Sequence, residues 1–392
     1  MKRAVLLSIP ILTFVACHPA RMPIVRRPLE IKGQTSAAPG TVKIGIKISV
    51  PDVTVTCPVP IMAVDETSGE QARWPAGSHH IEVISGIIAV DGKPRAGVWR
   101  LRPREDGQFI QCGVYAYRGD LVVKLVERKI TVINELPIDD YLKGVLPREA
   151  VPTWAEEALK AQAVASRTYL ASHLNQHASQ GFDLCSDVHC QVYGGMTKEH
   201  PRTTAAVDDT RNEILIYGGK PISAFFHANC GGSTEKVSAV WGNADQPYLP
   251  RKRCEWGTAA PWYHWKKSFA DEDILSSLRA KNLIKGTVLK SISIAERSGS
   301  GRAAKMRVRT DGGTFTMSGN DFRIAMNPEK IRSTKFTSVQ RLRGGYAFAG
   351  DGWGHGVGMC QWGAKGQAEH GRSYRDILAF YYPSSEIALW SR

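Results

Sequence analysis

Residues 352–366, GWGHGVGMCQWGAKG, constrain the fold of this chain more than any other stretch. Glycine falls at 352, 354, 356 and 358, with Trp353, His355, Val357 and Met359 between. A phosphate-cradling loop would end in Gly-Lys-Ser/Thr, and a dinucleotide fingerprint needs a different glycine spacing, so neither applies. In an extended segment, successive side chains point to opposite faces. The four glycines would then leave one face bare, open to another backbone or a ligand, and His355 would stand on the other. A tight packing contact or turn, with His355 satisfied in the core, is the plainer alternative.

The first residues set the compartment. MKRAVLLSIPILTFVAC carries Lys2 and Arg3 ahead of an apolar run from Ala4 to Ala16 that stops at Cys17. That is the pattern of an export signal, too short to span a bilayer. Phe14-Val15-Ala16-Cys17 resembles a bacterial lipobox, in which Cys17 is lipidated and holds the chain to a membrane. Phe14 stands where Leu is usual, so a plain secretory signal is the alternative. Either way the expected location is the cell envelope, an oxidising compartment. Without Cys17, cysteines 57, 112, 185, 190, 230, 254 and 360 remain, an odd number that cannot all pair internally. Cys57–Cys112 and Cys230–Cys254 are plausible disulfides, although spacing does not fix connectivity.

The chain has 392 residues, 43% hydrophobic and 22% charged, an ordinary globular composition. Its formal net charge of +14 favours a polyanionic partner. The basic residues are scattered, the tightest group being Arg251-Lys252-Arg253, and no helix-turn-helix, zinc-finger or RNA-binding signature is present. The reading is therefore no nucleic acid, but a cell wall or an anionic lipid surface.

The organisation reads as a signal segment at 1–17, a Pro- and Gly-rich linker at 18–40, a β-rich region at 41–134 and a mixed region at 135–392. VKIGIKISV, VTVTCPVPIMAV, HHIEVISGIIAV and LVVKLVERKITVI alternate as strands do, with turns at DGK and YRGD. LPIDDYLKGVL predicts a helix. PTWAEEALKAQAVASRTYLASHLNQ predicts a longer one, opened by a Thr153/Glu156 capping box and running to about Leu174. Its alanines 158, 161, 163 and 165 make it slim, and Lys160, Val164 and Arg167 share one stripe. DEDILSSLRAKNL and SYRDILAFYY predict further helices; LKSISIAER and AKMRVRTDGGTFTMS predict strands. The fold class is α+β, a β-rich N-terminal part followed by a mixed helix and strand core.

Four stretches then occur in order: LPIDDYLKGVLPREAVPTWAEEALKAQAVASRTYL, CQVYGG, PISAFFHANCGGSTE and GWGHGVGMCQWGAKGQA followed by YRDILAFYYP. Together they resemble the SpoIID/LytB family of bacterial peptidoglycan-acting proteins, over roughly residues 41–392. The resemblance implies a lytic transglycosylase that cleaves the MurNAc-GlcNAc bond, on strands stripped of their peptides, and leaves a 1,6-anhydro end. The alternative that it implies is a wall-binding enhancer of an N-acetylmuramoyl-L-alanine amidase, without chemistry of its own.

Glu149, in PREAVP, matches the family's catalytic glutamate. The muramoyl 6-hydroxyl attacks its own anomeric carbon, so one acid/base group suffices where other glycosidases need two carboxylates. The expected position is near the N-terminus of the second helix, which favours the ionised form, against an apolar pocket from Leu146, Val151 and Trp154, which opposes it. A surface glutamate beside Arg148 is the bland alternative. By resemblance, Lys160 and Arg167 face the cleft and bind the lactyl carboxylate of the muramoyl sugar or hold neighbouring groups in place; a solvated basic face is the bland alternative. His227 and His355 are further cleft candidates, Ser233 and Thr234 would bond sugar hydroxyls, and Tyr193, Trp241 and Trp353 would stack on sugar faces or pack in the core. Cys360 stands where the family usually has serine. The chemistry requires no cofactor. DLCSDVHCQVYGG places Cys185, His189 and Cys190 within six residues, downstream of His173 and His177. Thiolate and imidazole are zinc donors, and the resemblance implies a structural zinc on two cysteines and two histidines, with His177 upstream. A Cys185–Cys190 disulfide is the alternative.

Overall fold

Apolar and polar residues alternate between 41 and 137, and each run becomes a strand with one buried face. Asp52–Cys57 and Ile61–Asp65 bury every second residue. The structure, a computed structural model, describes residues 29–30 and 40–390; the signal segment, Cys17 and nearly all of the linker lie outside them. One seven-stranded sheet has the order 184–185, 41–50, 129–137, 120–126, 99–103, 61–65 and 71–74. A six-stranded sheet has the order 115–117, 110–112, 52–57, 77–84, 87–90 and 93–94. Val42, Ile44 and Leu101 of the first share one core with Val53, Val55, Ile81 and Ile110 of the second.

Eight helices follow among the described residues: α1 (Ile138–Glu149), α2 (Glu156–Ser172), α3 (Pro201–Asp209), α4 (Val237–Trp241), α5 (Asp271–Ala280), α6 (Gly319–Ala325), α7 (Gln361–Glu369) and α8 (Tyr374–Tyr381). In α2 every residue from 158 to 170 except Lys160 is buried. Its alanines let α1, α3, α7, α8 and the strand Glu213–Tyr217 all approach it. The predicted capping box does not form. Trp154 is buried edge-on to Trp362, ring centres 5.4 Å apart, and its N–H closes a turn onto Val151 O (2.9 Å). This holds Thr153 away from the cap; the helix starts at Glu156 behind Ala155, without a side-chain cap, and ends at Ser172, short of Leu174.

Val164, Leu215, Met359 and Tyr381 belong to a second core, and residues 264–351 fold around a third of their own. Strands His264–Ala270, Gly345–Asp351 and Phe336–Leu342 form one sheet and Leu289–Arg297, Ala303–Thr310 and Gly313–Ser318 another. Trp265, Leu278, Met306, Phe322, Phe336 and Phe348 fill the space between these strands, α5 and α6. The chain then re-enters the helical part through the glycine loop. Strand Glu386–Leu389 closes on Glu213–Tyr217.

All seven cysteines among the described residues are free thiols, against the expected pairs. Cys112 lies opposite Val55 and Gln111 opposite Thr56, so Cys57 stands diagonal to Cys112. Cys230 and Cys254 are not bonded either; Cys360 joins them in a cluster.

Candidate active site

Pro147 in the last turn and an extended Ala150 (φ −128°, ψ 143°) end α1 on Glu149. The Glu149 carboxylate Oε1 accepts the Val192 N–H (3.1 Å), and Oε2 accepts the Gln361 amide (3.4 Å). One carboxyl thus joins three segments: the end of α1, the loop after Cys190 and the first residue of α7. Burial pushes its pKa up, outweighing the Val192 and Gln361 hydrogen bonds and Arg148, which pull it down. The expected position at the start of α2 is not what the fold gives. Glu149 sits at the C-terminal end of α1, whose partial negative charge also disfavours the carboxylate. Leu146 and Trp154 are buried as expected, whereas Val151 is exposed.

Two residues before Val192 stands a four-donor cluster. His177, Cys185, His189 and Cys190 bring one donor atom each to within 4.8 Å of one another. The Cys185 and Cys190 sulfurs are 3.3 Å apart and unbonded; His177 Nε2 lies 3.4 Å from Cys190 Sγ and His189 Nδ1 3.7 Å from Cys185 Sγ. Two thiols and two imidazoles are a donor set that zinc takes. His173 is not part of it. Its ring stacks on Tyr169 (4.0 Å) and its Nδ1 bonds Tyr169 O.

The predicted carboxylate binders turn away from any cleft. Lys160 is held by Glu156 and by Asp209 (3.0 Å). Arg167 is 1% exposed, and its guanidinium donates to the carbonyls of Thr210 (2.7 Å), Val207 (3.1 Å) and Glu213 (3.3 Å) and to Asp139 (3.3 Å). It ties α1, α2 and α3 together. Tyr193 is also core: it packs on Tyr117 and Tyr141 and its hydroxyl donates to Asn134 Oδ1 (2.8 Å). The buried Thr234 hydroxyl accepts the Lys252 N–H (2.7 Å), and the Ser233 hydroxyl donates to Thr234 O. None of these groups is offered to a sugar.

The glycine loop is not extended. Gly352, Gly354, Gly356 and Gly358 have φ of 78°, 110°, 91° and 71°. A Cβ on Gly352 would lie 2.6 Å from Asn229 O, and one on Gly358 2.0 Å from Phe225 O. What comes close at Gly352, Gly354 and Gly358 is the chain's own 225–231 segment, whose Phe226 and His227 pair in parallel with Met359 and Cys360; at Gly356 it is the Arg302 guanidinium. The packing alternative is the one realised. His355 Nδ1 accepts the Val357 N–H (3.1 Å), so Nε2 carries the proton donated to Phe226 O (3.0 Å). Burial, with Arg323 and Arg302 nearby, lowers its pKa to about 3. His227 donates from Nδ1 to Val357 O, and its buried Nε2 has no partner among the described residues. No hydrogen bond joins Glu149 to either histidine among the described residues.

Trp241 is 38% exposed, its ring 4.9 Å from Phe225 and 5.1 Å from His355. It borders a groove of 870 Å³ with Lys236, Arg251, Ser298, Lys305 and Asn320. Trp353 packs edge-on to Trp262 (5.3 Å) with Arg332 over its ring (4.8 Å). The sequence reading missed Gln361 and the Val192 N–H, both of which hold the Glu149 carboxyl. Gln361 carried a weak signal, as a polar side chain heading a helix of glycine and alanine.

A family model described as "Stage II sporulation protein" matches residues 126–217, which contain Glu149 and the four-donor cluster. A second, described as a domain of unknown function, matches 254–358. The chain is 38% identical to an uncharacterized protein of Brachyspira hyodysenteriae, over 70% of this chain and 73% of that one. The amidase enhancer of Bacillus subtilis is 31% identical over 63% of this chain and 40% of its own length. Stage II sporulation protein D of the same organism is 28% identical, over 65% of this chain and 76% of its own. The chain belongs to the SpoIID/LytB family. Within this SpoIID/LytB chain the unknown-function match spans most of the third core and the glycine loop, so that match includes His355 but neither Glu149 nor Gln361. No helix among the described residues is long and apolar enough to cross a membrane.

Proposed function

We propose that this protein acts on the bacterial cell wall as a lytic transglycosylase, with Glu149 as the acid and then the base. The single observation that carries the reading is the Glu149 carboxyl, desolvated and oriented by Val192 and Gln361. A raised pKa favours the protonated form that a general acid requires. Glu149 gives its proton to the glycosidic oxygen as the bond from the muramoyl anomeric carbon breaks. The resulting carboxylate takes the proton of the muramoyl 6-hydroxyl as that oxygen closes on the anomeric carbon. No second carboxylate is needed. Trp241 and the groove beside it, lined by Lys236, Arg251 and Lys305 and by Glu235, Glu296 and Asp321, supply an aromatic face and polar groups of both charges for a glycan. Export and lipidation of Cys17 would place the enzyme at the wall.

The four-donor cluster would hold a structural zinc that fixes the loop from Cys185 to Val192, and so the hydrogen bond to Glu149. The zinc would take no part in proton transfer. Metal analysis of the purified protein tests this: one zinc lost in Cys185→Ser/Cys190→Ser supports it, and a Cys185–Cys190 disulfide in peptide maps refutes it.

The activity test is a digest of peptide-free and intact peptidoglycan, analysed by mass spectrometry, with the wild-type chain and Glu149→Gln. Anhydro-muramoyl ends from the wild type alone support the proposal. Reducing ends indicate hydrolysis and a different mechanism. The kinship with an amidase enhancer supports a second reading, wall binding without chemistry. Binding by both proteins, with no cleavage and with stimulation of an added amidase, decides for it.

A further inference from the structure

Three further thiols meet where the glycine loop enters α7. Cys230, Cys254 and Cys360 are 0%, 1% and 0% exposed, and their sulfurs lie within 4.8 Å of one another without a bond between any two. They come from three separate segments. Cys230 follows the strand Phe226–His227, Cys254 lies in the strap before the third core, and Cys360 caps α7. Three sulfur atoms converging on one closed point are what a soft metal ion requires, whereas a disulfide would leave the third thiol without a purpose.

The charge around the cluster is a second, independent observation. Arg302 is 2% exposed and donates Nη2 to Cys230 O (2.7 Å), while its Nε and Nη1 have no partner among the described residues. Lys335 donates its ammonium to Gly231 O. The nearby buried carboxylate, Glu235, accepts the hydroxyls of Ser298 and Ser300 (2.5 Å for the latter); its charge acts on Arg302 through space, without an ion-pair contact among the described residues. A buried guanidinium without a carboxylate pair is costly unless negative charge lies close by. Three thiolates around one monovalent ion carry two negative charges, which Arg302, Lys335 and the buried Arg323 would favour and Glu235 and Asp351 would oppose.

We propose that Cys230, Cys254 and Cys360 form a three-thiolate site for a soft d¹⁰ metal ion, Cu(I) in the first place. Binding replaces the three thiol protons with one ion. Zinc favours four ligands in structural sites; the side-chain oxygen closest to the sulfurs among the described contacts is the Tyr381 hydroxyl, 3.1 Å from Cys254 Sγ. Cu(I) is content with thiolates alone. The site is closed to solvent, so the ion enters as the chain folds. Gln361, the residue after Cys360, holds the Glu149 carboxyl, and an ion there would pin the start of α7.

The experiment uses the full chain carrying Cys185→Ser/Cys190→Ser, which removes the other cluster. It is unfolded with reductant and refolded without oxygen beside one equivalent of a Cu(I)–acetonitrile complex, or of Zn(II), then desalted. One Cu(I) retained per chain, with sulfur-to-copper absorption in the near ultraviolet, is the expected result. Retention falls at least tenfold on adding Cys360→Ser, in which serine still caps α7 and circular dichroism confirms the fold. Retention of zinc in place of copper, abolished by Tyr381→Phe, supports the same site with a fourth ligand. Retention of neither metal, copper retention unchanged by Cys360→Ser, or a Cys230–Cys254 disulfide in maps of the protein isolated without oxidant overturns the proposal.

Discussion

Replacing Arg167 with alanine separates the two roles open to it. Apart from a long contact to the Thr210 hydroxyl (3.5 Å), the side chain makes four hydrogen bonds, three of them to backbone carbonyls of α3 and of the turn into Glu213–Tyr217. A hydrogen bond from a charged donor contributes about 1.5–3 kcal/mol. The four are not additive, because water entering the vacated space rebonds some of the carbonyls. The loss expected is that of breaking one side of a buried ionic network, about 3–5 kcal/mol. Arg167→Lys should lose roughly half of that, since one ammonium cannot reach acceptors spread around a planar guanidinium. The described residues hold three large cores and need not unfold in one step, so the assay is urea unfolding followed by hydrogen exchange of the α2 amides. Binding to purified peptidoglycan is measured below the transition. Lowered protection with unchanged binding is the expected outcome. Unchanged protection with binding lost would refute the structural role and return Arg167 to the glycan.

Three other perturbations have signs that the structure fixes. Burial raises the Glu149 pKa, so its contribution to stability is full below the unfolded pKa and declines as pH rises through the folded one. Glu149→Gln should therefore match wild type in Tm near about pH 4 and exceed it near about pH 8; the opposite order would mean that the carboxylate is stabilised. His227 and His355 both have lowered pKa values, His355 at about 3. Stability should fall as pH drops below about 6.5, by ~1.4 kcal/mol per pH unit for each histidine, and His355→Gln should flatten that slope in an acid titration. Gly358→Ala meets a backbone oxygen at 2.0 Å at φ 71°, whereas Gly371→Ala at φ 79° meets nothing within 4 Å. The first should cost more than ~3 kcal/mol and the second about 1 kcal/mol, compared by Tm.

Local pattern carried most of the fold. Alternation located the strands from Thr41 onward, and the alanine run of α2 announced a helix that others crowd. Thr153 misled because capping-box spacing says nothing of Trp154, whose burial decides where the turn falls. Arg167 misled for a related reason: stripe position on a helix gives a direction, and here that direction holds α3 and not solvent. The glycine repeat fits an extended strand as well as a left-handed loop, since periodicity alone does not register φ. Glu149 stood out through the resemblance, but Val192 and Gln361 did not, because both reach it across more than forty residues and one acts through its backbone. The third cysteine of the buried cluster was visible only as an odd count.

The helix α2 has a practical consequence for anyone dividing this protein. It is covered on one side by α1 and α3 and on another by α7 and α8, which lie nearly two hundred residues later in the chain. The segment 126–217 that carries Glu149 is thus not a free-standing module. Cut out alone, it would bare the alanine face of α2 and the apolar side of Glu213–Tyr217, and would leave Glu149 without Gln361. The Glu149 site is thus shared between segments more than two hundred residues apart. A C-terminal truncation removing α7 and α8 would dismantle the site while leaving Glu149 and the four-donor cluster in the chain.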